Sequence, residues 1–267
     1  MGKKILVILG SGLYNLYDSN ILKGPFEVET QFGTASLSEV AILSGESAKH
    51  TDVRSDSKLY VMMRHGRSHA LPPHLVNYRA NICAAQKLGC DYIISTASVG
   101  SLRRNLAVGS YVVIDQFVDF TKGRASSVYY EKAENFAHTD MTEPYSSKVR
   151  NALIHSLTRN AKGRYAFHRR GTYVCTEGPR FETPAEIRMY RILGADVVGM
   201  TGVPEVVIAN ELHIPYATLA QVTNFAAGMK PSGDKKLSQE EVNVAMKKSE
   251  AKTRAILDDA IAELLHV

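Results

Sequence analysis

A chain of 267 residues with 45% hydrophobic and 22% charged residues has the composition of an ordinary globular protein. It is long enough to bury a substantial core within one domain. Its formal charge of +5 comes from dispersed Lys and Arg without a helix-turn-helix or RNA-binding signature, which points to a small anionic ligand rather than nucleic acid. No apolar run approaches the roughly 20 residues of a bilayer span. The three cysteines, Cys83, Cys90 and Cys175, contain no CxxC pair, so neither a disulfide framework nor a metal site is indicated. Met1-Gly2-Lys3-Lys4 runs into an apolar stretch too short for a signal-peptide core, and the expected location is cytoplasmic.

The first element is Lys4-Ile5-Leu6-Val7-Ile8-Leu9, a continuous apolar run expected of a strand covered on both faces. Gly10-Ser11-Gly12 follows at once, suited either to close approach of an anion or to a tight turn. Short antiparallel strands are expected between about Gly24 and Asp56. Lys58 to Met63 reads as the next long strand, ending in Arg64-His65-Gly66-Arg67-Ser68-His69. Those two arginines and two histidines suit forked recognition of a phosphate, or else form a solvated basic turn.

Helical spacing of Leu75, Tyr78, Ile82 and Ala85 predicts a helix over 74–88, stopped by Gly89. Tyr92-Ile93-Ile94 is a buried strand opening into a small-residue loop, Ser95 to Leu102, where open α/β sheets gather ligands. Tyr111 to Ile114 is another strand. The segment from Thr121 to about Tyr145 holds Tyr129, Tyr130, Phe136 and His138, too aromatic for a plain linker and suited to a lid or a subunit contact. A helix from Ser146 to about Thr158 and the strand Thr172 to Cys175 come next.

The most informative stretch is Thr176-Glu177-Gly178-Pro179-Arg180-Phe181-Glu182-Thr183. Gly178-Pro179 forces a turn, and Thr183-Pro184 reads as an N-cap with Pro at the first helical position. Phe181 and Glu182 are thereby held on a stiff loop, equipped to stack on a flat heterocycle and bond its edge. As a plain helix start they would instead be a staple and a dipole-complementing acid. Beyond it come a helix stopping at Gly194, a strand over 196–199, and Met200-Thr201-Gly202-Val203-Pro204-Glu205 leading into a helix through Asn210. Thr201 there is a further candidate anion donor. The last strand, Ala217 to Val222, ends in Thr223-Asn224-Phe225-Ala226, and a capping box from Ser238 to Glu241 opens the terminal helix.

Strand-exit loops reading GSG, RHG, STASVGS, EGPRFET, MTGVPE and TNFA, in this order and from Ile5 to the terminal helix, resemble the trimeric purine nucleoside phosphorylase and methylthioadenosine phosphorylase family. EGPRFET followed by MTGVPE carries most of that resemblance. It implies an α/β fold of one domain (1–267), with a twisted, distorted barrel-like mixed sheet flanked by helices. It also implies a homotrimer or dimer of trimers, and phosphorolysis of a purine nucleoside with inorganic phosphate as co-substrate and no metal or organic cofactor.

Carried over by position, the resemblance assigns the phosphate to Ser11, Arg64, His65, Ala97, Ser98 and Thr201. Met200 would lie under the ribose, Phe181 on the base, and Glu182 and Asn224 at the base edge, with His138 reaching the 5′ end from an adjacent subunit. Asn224, Arg64 and His65 are the candidate catalytic residues. Adenine-directed members carry Ser after the loop Phe and two Asp residues after the last strand, where this chain has Glu182, Asn224 and Ala226. A carboxylate facing N1 of adenine would set acceptor against acceptor, so hypoxanthine and guanine nucleosides are the expected substrates.

At the 5′ end, Gln239 replaces both the His of the 6-oxopurine enzymes and the apolar residue of the methylthio enzymes. Inosine and guanosine lead, with 5′-methylthioinosine and then 5′-methylthioadenosine as alternatives. Two other classes stand further off: a hydrolytic nucleosidase, and a purine or dinucleotide-binding module without catalysis.

Overall fold

The computed structural model describes residues 2–42, 54–66, 70–129, 136–161, 163, 165–230 and 236–266. Continuous apolar runs become the central strands. β1 (Lys4–Leu9) lies parallel to β4 (Lys58–Met63) on one side and to the first half of β5 (Tyr92–Ser101) on the other. Side chains alternate along a strand, and here they alternate between two cores. Leu6 and Ile8 enter one, Ile5, Val7 and Leu9 enter the other, and all five are fully buried. That is why the run shows no polar alternation.

The antiparallel hairpin of β2 (Ile21–Thr30) and β3 (Gly33–Val40) extends the sheet beyond β4, as expected for the Gly- and Ser-rich region after the first loop. The remaining strands are β6 (Tyr111–Val113), β7 (Gln116–Phe120), β8 (Phe167–His168), β9 (Thr172–Thr176), β10 (Val197–Gly199) and β11 (Tyr216–Phe225). The order runs β2-β3-β4-β1-β5-β10-β9-β7, with β11 also on β5, β6 on β11, and β8 on β6. Parallel and antiparallel pairs are mixed, and the twisted sheet does not close into a barrel.

β5 is the pivot of this arrangement. Ile5 to Ile8 of β1 pair with Tyr92 to Ser95, whereas β10 pairs antiparallel with Gly100 and Ser101, and β11 follows β5 from Ile93 to Ser101. The stretch after Ile94 is therefore strand rather than the expected loop. Ser, Ala and Gly are weak strand formers, but pairing with β11 along the whole stretch, and with β1 and β10 at its two ends, overrides that preference. Thr223 to Phe225 likewise continue β11, with an irregularity between Val222 and Asn224.

Five helices cover the sheet among the described residues: α1 (Tyr78–Leu88), α2 (Ser147–Ala161), α3 (Pro184–Ile192), α4 (Gly202–Glu211) and α5 (Gln239–Leu265). α1 packs with α4 on one face and α2 with α5 on the other. α1 begins later than the apolar spacing predicts, because Pro73–Leu75 form a short 3-10 turn and the Asn77 side chain then caps the helix by accepting from the Ala80 N–H. Gly89 ends it with φ 70°, a left-handed angle that favours Gly. At the start of α5, Ser238 accepts from the Glu241 N–H as expected. No helix among the described residues is long and apolar enough to cross a membrane.

Ile256, fully buried between α5 and the sheet, tests this packing. Ile256→Ala is expected to cost about 2–5 kcal/mol through lost burial and the cavity left behind, read as a lowered urea midpoint.

Candidate active site

The EGPRFET loop is fixed from both ends. Thr183 and Glu186 form a reciprocal capping box around Pro184 in the first turn of α3, and Arg180 sends both terminal nitrogens to the Glu186 carboxylate at 2.9 and 2.7 Å. The Arg180 hydrogen bonds hold the Glu186 carboxyl down at about 2. Gly178 has φ 62°, and a Cβ there would lie 2.6 Å from Met200 Sδ. Only Gly meets both demands. Phe181 and Glu182 are thus presented between β9 and α3, with the Met200 side chain packed beneath Gly178. Glu182 is buried, and its Oε1 accepts from the Thr176 hydroxyl at 2.7 Å. Burial pushes its carboxyl up, with the Thr176 bond opposing that shift.

Ser11 and Ser98 meet where β1 and β5 diverge, the Ser98 hydroxyl donating to the Ser11 carbonyl at 3.3 Å. Arg64 stands beside them, its Nη1 2.9 Å from where a Cβ on Gly10 would be. It is not the free forked cation that its place in a basic turn predicts. Its Nε and Nη2 reach the two Glu205 carboxylate oxygens at 2.5 and 2.9 Å, Nη2 also donates to Ser95 Oγ at 2.6 Å, and Nη1 donates to the Thr96 carbonyl at 2.9 Å. Burial alone would pull the Arg64 pKa down, but the Glu205 charge raises it overall. A guanidinium has five N–H groups, and these bonds leave one on Nη1 for a ligand.

His65 is oriented by its Nδ1, 2.8 Å from the Leu71 carbonyl. A carbonyl only accepts, so that nitrogen carries hydrogen. Thr201 precedes α4 without capping it, and its backbone N–H donates to the Tyr173 hydroxyl at 3.1 Å. What it offers a ligand is therefore its hydroxyl rather than a helix-end amide. Arg67 and His69 of the basic turn, and Tyr130, lie outside the described residues.

Asn224 sits across the β5–β11 ladder from Gly100. Its Nδ2 donates to the Phe225 carbonyl at 3.0 Å, and its Oδ1 accepts from the Thr223 hydroxyl at 2.9 Å. The Phe225 carbonyl fixes which end of the amide is NH₂, leaving a second N–H to donate. A Cβ on Gly100 would lie 3.2 Å from that nitrogen, so Gly leaves it room.

A cavity of about 320 Å³ joins these groups. Ser11, Arg64, His65, Ser98, Phe181, Glu182, Met200, Thr201, Asn224 and Gln239 all line it, with Ala70, Pro72, Pro73 and Val242 among the apolar wall. Ala97 is buried and does not line it, and His138 stands exposed elsewhere, edge-on to Phe136 at 5.4 Å. Gln239 lines the cavity while its amide donates along the helix to Asn243 at 3.2 Å. Among the described residues, no group of three or more His, Cys, Asp or Glu could hold a metal ion.

Residues 4–262 match the family model described as Phosphorylase superfamily. The chain belongs to the Phosphorylase superfamily. It is 46% identical over 260 residues to the 6-oxopurine nucleoside phosphorylase of Pyrococcus furiosus, covering 95% of this chain and 91% of that one. It is 42% identical over 258 residues to a probable S-methyl-5′-thioinosine phosphorylase of Methanothermobacter thermautotrophicus, covering 97% and 83%. Among solved structures, the methylthioadenosine phosphorylase of Schistosoma mansoni in complex with adenine aligns with a TM-score of 0.86 at 32% identity, over 98% of this chain and 92% of that one.

Two residues of this phosphorylase hold the cavity wall without a role assigned from sequence. Glu205, fully buried, accepts from Arg64, Ser95 and the Tyr216 hydroxyl. Its signal was a lone acid among Val203, Pro204, Val206 and Ile208. Arg124, in the unassigned segment after β7, donates to the carbonyls of Met200, Thr176 and Glu177 and to the Tyr78 hydroxyl. Nothing in its local sequence marks it.

Glu205→Gln leaves the Arg64 charge buried and uncompensated, which is expected to destabilise the fold by about 3–5 kcal/mol, measured by chemical denaturation. Gly100→Ala is expected to displace the Asn224 amide and lower kcat/KM about tenfold while leaving the far-ultraviolet circular dichroism spectrum unchanged.

Proposed function

We propose that this chain phosphorolyses the 6-oxopurine nucleosides inosine and guanosine, giving the free purine and ribose 1-phosphate, with inorganic phosphate as co-substrate and no metal or organic cofactor. One observation carries this reading: phosphate-type donors (Ser11, Arg64, Ser98, Thr201) and a base-type set (Phe181, Glu182, Asn224) line one cavity. Ser98 and Gly100, the latter beside Asn224, are two residues apart on β5, about 7 Å at the strand rise. That spacing suits a ribose between a phosphate and a purine. The relative from Pyrococcus furiosus, a 6-oxopurine nucleoside phosphorylase, supports the same substrate class.

In this reading the C1′–N9 bond breaks, a C1′–O bond to phosphate forms, and the proton that phosphate carried passes to the base. The ribosyl carbon becomes cationic as the base leaves, and the bound phosphate anion both stabilises and attacks it, so no protein nucleophile is required. The spare Asn224 N–H donates to N7 as negative charge builds on the purine, and Glu182 accepts from N1–H. Donors placed for charge that develops only in the transition state raise kcat. His65 and the hydroxyls of Ser11, Ser98 and Thr201 orient the phosphate, whereas Ala97, which does not line the cavity, takes no part. Met200 packs under the ribose.

We assign the active form to a homotrimer, in which the exposed His138 reaches the 5′ end of a neighbouring copy's substrate. A second reading, 5′-methylthioinosine, is favoured by the bonding of Gln239 to Asn243 and by Val242 on the cavity wall. Both leave apolar surface where a hydroxyl would want a partner. The ratio of kcat/KM for inosine to that for methylthioinosine decides between them.

Hypoxanthine release from inosine is expected only with added phosphate. Release at the same rate in phosphate-free buffer would establish a hydrolase instead. Asn224→Ala is expected to lower kcat about 10²–10³-fold, the usual cost of one oriented transition-state donor, with the KM for phosphate little changed.

A further inference from the structure

The start of α4 meets the cavity at Thr201. A helix start is ordinarily ready to hold an anion, because its first backbone N–H groups have no partner inside the helix. Here those groups are spent within the protein. The N–H of Thr201 and that of Gly202 both donate to the Tyr173 hydroxyl oxygen, at 3.1 and 3.4 Å. Burial pushes the Cys175 thiol up to about 12, and among the groups opposing that shift is a hydrogen bond from the Val203 N–H. Pro204, the next residue, has no N–H to give. Two side chains of β9, two residues apart and so on one face of the strand, thus take the place of the usual cap.

An N-cap Thr normally turns its hydroxyl back to accept from the second or third helical amide. At α4 the second is directed at Cys175 and the third is absent, and the Thr201 hydroxyl makes no cap bond. That leaves it for the cavity it lines. Tyr173 is 1% exposed and stands outside the cavity lining, so it acts on a ligand only through the chain it holds. A Cβ on Gly199 would lie 2.4 Å from the phenol oxygen, so any other residue there would push the ring away. Burial pushes the Tyr173 hydroxyl well above its ordinary range, with the two amides working against that shift, and it stays a neutral oxygen.

We propose that Tyr173 is a positioning residue for phosphate, its hydroxyl gathering the first two amides of α4 so that the Thr201 hydroxyl, and not the helix end, meets the anion. This deepens the phosphorolytic reading and rests on it. Without the phenol oxygen, the two N–H groups would turn to water or to the anion itself. Thr201 would then lose the contact that holds its backbone at φ −136° and ψ −27°.

Tyr173→Phe removes that one oxygen and keeps the ring. The KM for phosphate is expected to rise about tenfold, the scale of one hydrogen bond to a charged group, while the KM for inosine changes by less than about twofold. In a Thr201→Ala background the same substitution is expected to add nothing further, because the hydroxyl it positions is gone. An equal rise for phosphate and inosine, no rise for phosphate, or full additivity of the two substitutions would each overturn the proposal.

A second measurement uses the unaltered protein and stands even if Tyr173→Phe does not fold. Hydrogen exchange of the Thr201 and Gly202 amides, followed residue by residue by nuclear magnetic resonance and taken relative to Ile208 inside α4, is expected to be the same with and without saturating inorganic phosphate. Slowing of those two amides beyond Ile208 when phosphate binds would put the anion on the helix end and overturn the proposal. Absence of phosphate-dependent inosine cleavage by the unaltered protein would instead overturn the substrate assignment beneath it.

Discussion

The buried Arg64–Glu205 pair fixes where four elements meet. Arg64 follows β4, Glu205 lies in α4, and the polar atoms that complete the pair come from Ser95 on β5 and Tyr216 on β11. Such a pair adds little net stability over an apolar substitute, but removing one partner is costly. Its larger effect is positional, because the guanidinium fork has one geometry that satisfies all these acceptors. The pair is also electrically neutral. Under the proposed function, a phosphate here would meet hydroxyl groups and one residual Nη1 hydrogen rather than an unscreened cation, and its recognition would rest on directed hydrogen bonds more than on attraction at a distance.

Much of this was legible in the sequence where local chemistry and fold agree. The apolar runs at 4–9 and 58–63 became doubly covered strands, and Thr183 and Pro184 announced the start of α3. Legibility failed where tertiary contacts override local preference. Ser95 to Ser101 look like a loop by composition yet form strand, because β11 pairs with them along their length and β1 and β10 pair with the two ends. The basic turn after β4 suggested a free phosphate cation, but the acid that neutralises Arg64 lies 141 residues away. Arg124 shows the same limit, since its partners are three carbonyls, the Tyr78 hydroxyl and the Glu177 carboxylate at 3.5 Å, 52 residues or more from it except Tyr78, which is 46 away.

The fold is shared with relatives named for different substrates. The methylthioadenosine phosphorylase structure superposes with a TM-score of 0.86 despite 32% identity. A scaffold common to several specificities places the discrimination in a few side chains on it. The proposed function gives that part to Glu182 and Asn224, which are held by different means. Glu182 is set by a loop locked at both ends. Asn224 is set by the strand itself, its amide turned by the carbonyl of the next residue and given room by Gly100.

Arg124 joins the chain before Glu177 to the chain after Gly199, bonding the carbonyls of Thr176, Glu177 and Met200 at once. The two segments that carry Phe181 and Met200 are thereby riveted into one piece. A ligand that displaced the loop carrying Phe181 would therefore also pull, through Arg124, on the chain at Met200. Mechanical coupling of this kind favours molecules that fill both halves together over fragments that fill either alone.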